Sequence, residues 1–136
     1  MKIDRPFFDT NVLLYLLSED DRKADRAEAI IASGGIISVQ VLNEFASVAS
    51  RKLRMSYAEI RDVLATVRGV CQTQALTVDT HDRGLDIAER FGFSLYDSMI
   101  VSSALQSGCS VLYSEDMRHG QKIDAQLVVI NPFLEK

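Results

Sequence analysis

Cysteine is nearly missing from this 136-residue chain: only Cys71 and Cys109 occur. Their spacing is unlike any metal knuckle, so two buried, reduced thiols are expected rather than a disulfide or a thiolate site. Positive charge is also in the minority. Fifteen lysines and arginines against nineteen acids give a formal net charge of −4, which argues against holding nucleic acid by general electrostatic attraction. A polyanionic substrate would have to be bound locally, through a metal ion or through a partner chain that adds positive charge. No stretch reaches the roughly 20 apolar residues of a membrane span. The opening Met-Lys-Ile-Asp-Arg-Pro-Phe-Phe places an acid and a proline where a signal peptide needs its apolar run, so a cytoplasmic protein with no membrane association is expected. Repeats, low-complexity tracts and linkers are absent too. What remains is 47% hydrophobic and 25% charged, a globular balance far from that of disorder. One domain over residues 1–136 is expected, long enough to bury a core without staples.

Short apolar runs alternate with helical patterns. Residues 6–9 read as a strand with proline at its first position, and a helix follows from Asn11. Ser18 with Asp21 reads as a capping box for a second helix, in which Ala24, Ala27, Ile30 and Ile31 share a face before Gly34. Ile36 and Ile37 form a brief strand. Val41, Leu42, Phe45, Val48 and Ala49 keep helical period; Ser56 with Glu59 caps the next helix, striped by Ile60, Val63, Leu64 and Val67, and the two form a hairpin. Residues 74–78 read as strand, and Leu85, Ala88 and Phe91 mark a helix stopped by Gly92. Ser94 with Asp97 caps another, buried through Ile100, Val101, Ala104 and Leu105 and ended by Gly108. Strands at 110–113 and 127–130 complete an α/β layer fold whose sheet is mostly parallel and covered on both faces.

Open parallel sheets place their ligand crevice beyond the carboxyl ends of the strands, and acids stand at that rim. Asp9 closes the first strand, although it equally suits a helix cap. Asp116 lies just past the strand ending at Tyr113, in a loop where it would also serve as a turn acid. Asp97 opens a helix and fits a capping box with Ser94. Glu44 borders the apolar stripe of its helix, about 110° from its centre at 100° per residue, and taken alone it reads as a solvated acid. Jointly they say more. Several carboxylates at one place repel each other and shift their pKa values unless a cation sits among them. A set with oxygen ligands only, and neither histidine nor cysteine, selects Mg²⁺ or Mn²⁺, and phosphodiester hydrolysis is the matching reaction.

Phe7-Phe8-Asp9-Thr10-Asn11, Val41-Leu42-Asn43-Glu44-Phe45, Leu95-Tyr96-Asp97-Ser98-Met99-Ile100 and Leu112-Tyr113-Ser114-Glu115-Asp116 resemble, in order, the motifs of PIN-domain ribonucleases. Within that family the chain is most similar to VapC-type toxins of bacterial toxin–antitoxin pairs. The resemblance implies an α/β/α sandwich in which Asp9, Glu44, Asp97 and Asp116 are catalytic and hold Mg²⁺ or Mn²⁺. Glu115 is a rival for the fourth acid. Thr10 and Asn11 match positions that orient the first aspartate, and Ser114 stands where the family carries serine or threonine. An RNA substrate, a homodimer and a small VapB-like antitoxin are implied as well. The nearly all-apolar run Val12 to Leu17 suits either deep core or a docking groove.

Two basic groups are candidates for RNA backbone contacts: Arg51, Lys52 and Arg54 after Glu44, and Arg118, His119 and Lys122 after Asp116. His81, at a helix start away from the motifs, reads as a surface residue. A haloacid-dehalogenase phosphatase would need aspartate where Asn11 stands. A receiver domain would need adjacent acids after the first strand and a late lysine. A binding-only PIN scaffold is the remaining alternative, and the complete quartet of acids argues against it.

Overall fold

The computed structural model describes residues 4–134. The brief apolar runs become strands β1 (Phe7–Phe8), β2 (Gly35–Ser38), β3 (Cys71–Gln74), β4 (Val111–Tyr113), β5 (Lys122–Ile123) and β6 (Leu127–Ile130). They form one sheet of order β3-β2-β1-β4-β6-β5, parallel throughout except for the β5–β6 pair. Helices α1 (Thr10–Leu14), α2 (Asp21–Ala32), α3 (Val39–Arg51), α4 (Tyr57–Val70), α5 (Val78–Phe91) and α6 (Leu95–Gln106) complete an α/β/α sandwich. None of the described helices is long and apolar enough to cross a membrane.

Strand order fixes where the crevice falls. From β1 the chain steps to β2 and β3 on one side and later to β4 and β6 on the other. The sheet therefore reverses its winding between β1 and β4, the place where open α/β sheets bind ligands. Phe7, Phe8, Ile37, Leu112 and Val129 of the sheet are fully buried, as are Val12, Leu13, Val41 and Phe45 of the helices. Each contributes roughly 1.5–3 kcal/mol of transfer free energy, and Phe8 stacks on Tyr113 across β1 and β4 with ring centroids 5.9 Å apart. Cys71 and Cys109 are buried and unbridged, as expected.

Several boundaries differ from the sequence reading. The first strand is only Phe7–Phe8, because Asp9 already caps α1, accepting from Thr10 N. The N-cap of α2 is Asp20, which accepts from the Arg22 and Lys23 amides; Ser18 instead accepts from Asp20 N and lies two residues ahead of that cap, so it forms no capping box with Asp21. The strand expected at 74–78 lies at Cys71–Gln74. Leu76 and Val78, which suggested it, are exposed, and Thr77 caps α5. On α5 the buried face runs through Thr80, Gly84 and Ile87, while Leu85 faces solvent. The two-residue β5 has no sequence signature of its own: its pairing comes from the hairpin turn at Asp124 and Ala125, both in left-handed conformation.

The capping box at Ser56 and Glu59 is present in full, with Ser56 N donating to Glu59 Oε1 at 2.9 Å and Glu59 N to Ser56 Oγ at 3.1 Å. Ser56→Ala removes one of these bonds and is expected to cost about 1 kcal/mol, read as a lower midpoint of urea unfolding with an unchanged slope.

Candidate active site

Asp9 follows β1 and Ser114 follows β4, so the winding reversal sets the two side by side. Asp9 is 5% exposed. Thr10 N donates to its Oδ1 at 2.7 Å; Ser114 Oγ and Asn11 Nδ2 donate to its Oδ2 at 2.7 and 3.3 Å. The Asn11 amide also donates to Asp116 Oδ2 at 3.1 Å, so a single amide spans two carboxylates. Glu115 N in turn donates to Asn11 Oδ1 at 3.1 Å, which fixes which way that amide points.

Burial pushes the Asp9 carboxyl up to about 6, against the opposing hydrogen bonds from Ser114 and Thr10; the charges of Asp97 and Asp116 raise it further. Asp97, half-buried in the first turn of α6, is raised as well, first by burial and then by Asp116, while a hydrogen bond from Ser94 opposes the shift. Asp9 therefore feels the charges of Asp97 and Asp116, and Asp97 that of Asp116. Among the described residues no lysine, arginine or histidine forms an ion pair with any of the three.

Glu44 joins from α3. Its Oε1 accepts from Thr10 Oγ1 at 3.2 Å and from Gln40 Nε2 at 3.1 Å, and Gln40 Nε2 also donates to the Tyr96 carbonyl at 2.8 Å. The residue beside Asp9 and the residue before Asp97 are both tied to the glutamate or its partner. Among the described residues no three His, Cys, Asp or Glu side chains close around one point, so the acids line an open crevice rather than a finished cage. Magnesium fits such an arrangement, because it keeps several waters and takes only one or two carboxylates besides substrate phosphate.

Glu115 is engaged elsewhere. Its carboxylate accepts from the Tyr15 hydroxyl and from Lys23 Nζ at 3.0 Å, with Lys23 also 3.1 Å from the Tyr15 oxygen. The basic candidates lie apart from the acids or at their margin. Arg51, Lys52 and Arg54 are exposed at and just beyond the far end of α3, Arg51 held to Ser47; Arg51, seven residues beyond Glu44, has its backbone about 10 Å farther along the helix at 1.5 Å per residue, and Lys52 and Arg54 follow it. Arg118 and His119 are exposed in the segment after β4, where His119 Nδ1 accepts from Asn131 N at 3.0 Å. Lys122 is exposed on β5. Gln40, Lys23 and Tyr15 escaped the sequence reading. Gln40, one helical turn before Glu44, carried a usable signal; the link from α2 to Glu115 carried none.

The sequence matches the family model of the PIN domain over residues 7–123, which contains all four acids and most of the chain. The chain belongs to the PIN-domain family. No curated protein matches it. Solved structures share the fold. A toxin–antitoxin complex from Klebsiella pneumoniae superposes with a TM-score of 0.71 at 19% identity, covering 94% of this chain and 98% of that one. VapC20 of Mycobacterium tuberculosis, described as a toxin that cleaves the sarcin-ricin loop, gives 0.67 at 19% identity over 82% and 89%. DNA-bound VapBC from Salmonella typhimurium gives 0.64 at 19% identity over 93% and 97%. In this PIN domain the crevice lies where the winding reversal directs it.

Proposed function

We propose that this PIN-domain protein is an endoribonuclease that hydrolyses RNA phosphodiester bonds with Mg²⁺ or Mn²⁺, and that it acts as the toxin of a type II toxin–antitoxin pair. One observation carries the chemistry: a buried aspartate, Asp9, shares its crevice with Asp97 and Asp116 and no cationic side chain among the described residues compensates it. Such a set fits a hard divalent cation, and Asp9, Glu44, Asp97 and Asp116 are the residues from which one or two such ions would draw their carboxylate ligands, water and substrate phosphate supplying the rest. When bound, that cation supplies charge neutralisation and Lewis acidity at the phosphodiester. The chain's own residues prepare the place. Ser114, Asn11 and the Thr10 amide hold the Asp9 carboxylate still; Asn11 aims Asp116 at the same point; Thr10 and Gln40 occupy one oxygen of Glu44, and among the described residues none donates to the other. Asp116 is the fourth acid in this scheme, since Lys23 and Tyr15 hold the Glu115 carboxylate.

The biological role rests on the fold shared with toxins seen in complex with antitoxins. Two surfaces suit protein partners. A groove of about 470 Å³ between α3 and α4, lined by Leu42, Ala46, Tyr57, Ile60 and Leu64 and rimmed by Arg61 and Arg68, suits an apolar segment of a VapB-like antitoxin with acidic flanks. Leu76, Leu95 and Tyr96 stand exposed around a smaller groove and supply apolar area for a homodimer. Leu16, from the apolar run after Asn11, lines a third groove with Ile31 and Val67, whereas Val12 and Leu13 are core.

Incubating the protein with RNA and Mn²⁺, with and without chelator, tests the reading. Cleavage should require the metal and fall with Asp97→Asn, and Asp116→Asn should lower it at least about tenfold more than Glu115→Gln, a partner in a half-exposed ion pair of small net worth. Equal cleavage in all tubes would point to a contaminant and remove the assignment.

A further inference from the structure

We propose that Gln40 is a positioning residue of the acidic crevice: its amide fixes the Glu44 carboxylate, and ties it to the α6 turn that carries Asp97, so that one glutamate oxygen is held ready for a divalent cation. The inference rests on the metal-dependent reading above and concerns how one of the acids in that crevice is held.

Gln40 lies in the first turn of α3 and is 7% exposed. A primary amide nitrogen has two hydrogens to give, and both are used here, one on Glu44 Oε1 and one on the Tyr96 carbonyl. Turning the amide over would set its oxygen against two acceptors, so the surroundings dictate its orientation. Glutamate on a helix otherwise samples many rotamers, and ordering it costs entropy. Two donors on Oε1, Thr10 and Gln40, confine that carboxylate, and among the described residues none donates to Oε2. The half of Glu44 with no protein partner is therefore the half available to a cation. Tyr96 precedes Asp97 directly, so Gln40 also couples the place of Glu44 to that of a second acid on a different helix. A buried glutamine that merely satisfies the Tyr96 carbonyl would leave Glu44 and the metal indifferent to it.

The two roles separate in a double-mutant cycle. Gln40→Met keeps length and bulk but cannot donate; Gln40→Asn, one methylene short, serves as a second variant if the first fails to fold. Calorimetric Mn²⁺ titration of the RNA-free protein is expected to show affinity weakened about tenfold in the variants, the scale of lost ligand-orienting contacts. Cleavage should fall most at low Mn²⁺ and recover in part at high Mn²⁺. In a Glu44→Gln background the same substitution should leave Mn²⁺ affinity unchanged. A lowered melting temperature with unaltered Mn²⁺ affinity, or equal loss of affinity in both backgrounds, would overturn the proposal. Wild-type protein that binds Mn²⁺ but cleaves no RNA would remove the nuclease reading while the binding comparison still tests Gln40. Wild-type protein that binds no Mn²⁺ overturns both.

Discussion

Asp9→Asn is expected to lower metal-dependent cleavage by at least about a hundredfold, and at the same time to make the metal-free protein more stable. The second half follows from the burial that makes the residue useful. The folded protein raises the Asp9 carboxyl from 3.8 to about 6, so between those values the native state binds a proton that the unfolded chain has released. Stability contributed by this group is therefore full below about pH 4 and is lost as pH rises through 6. With 1.36 kcal/mol per unit, the charged form costs about 3 kcal/mol at pH 7. Asparagine keeps the shape and does not titrate. In chelator, denaturant unfolding of wild type should weaken across pH 4–6 while the variant's curve stays flatter, the two meeting near pH 4. Added Mg²⁺ should then stabilise wild type far more than the variant, since only a state that binds ligand gains from it. A variant less stable than wild type at pH 7 in chelator would mean that Ser114, Asn11 and the Thr10 amide already hold the charge at no net cost.

Gly35→Ala is the second large effect, and it acts on the frame. A Cβ at this position would lie 2.4 Å from Phe8 Cε2 and 2.7 Å from the Pro6 carbonyl oxygen. That carbonyl accepts from Ile36 N at 2.9 Å and cannot withdraw without opening the β1–β2 pairing. The Phe8 ring, fully buried and stacked on Tyr113, has no room to turn away. A loss of about 3 kcal/mol or more is expected, at the upper end of overpacking, seen as a lower denaturation midpoint. Because Phe8 leads directly into Asp9, cleavage should fall with it. Gly84→Ala is the control: its Cβ would meet the Sδ and Cε of Met99, the far end of a flexible side chain, and should cost much less. Equal losses at both positions would show that side-chain crowding alone, and not the backbone contact, sets the penalty at Gly35.

The acids were legible because each stands at a place that simple rules single out: Asp9 and Asp116 just past strands, Asp97 at a helix start, Glu44 at the margin of an apolar stripe. Their partners were less so. Asn11 and Ser114 were readable only through the motifs, and Gln40 only if the helical turn before Glu44 is scanned for a polar group on the same face. The link from Lys23 and Tyr15 to Glu115 joins side chains about a hundred positions apart, which nothing local announces. Errors in the fold had the same root. Leu76 and Val78 have the composition of a strand but lie exposed around the start of α5, and Lys122–Ile123 is too short to be seen before its hairpin partner is known. The fold as a whole survived these shifts because it depends on the alternation of buried runs with amphipathic ones, and moving a boundary by a turn leaves that alternation intact.

The two margins of the sheet bear on how the protein behaves when crowded. One is β3, four residues long and carrying Gln72 and Gln74, the first of them bound by Arg5; the other is β5, two residues long with Lys122 turned outward. A strand from a neighbouring molecule would find little backbone to pair with and a polar or charged side chain at each approach. Chains of this protein should thus resist stacking into fibrils even when packed densely.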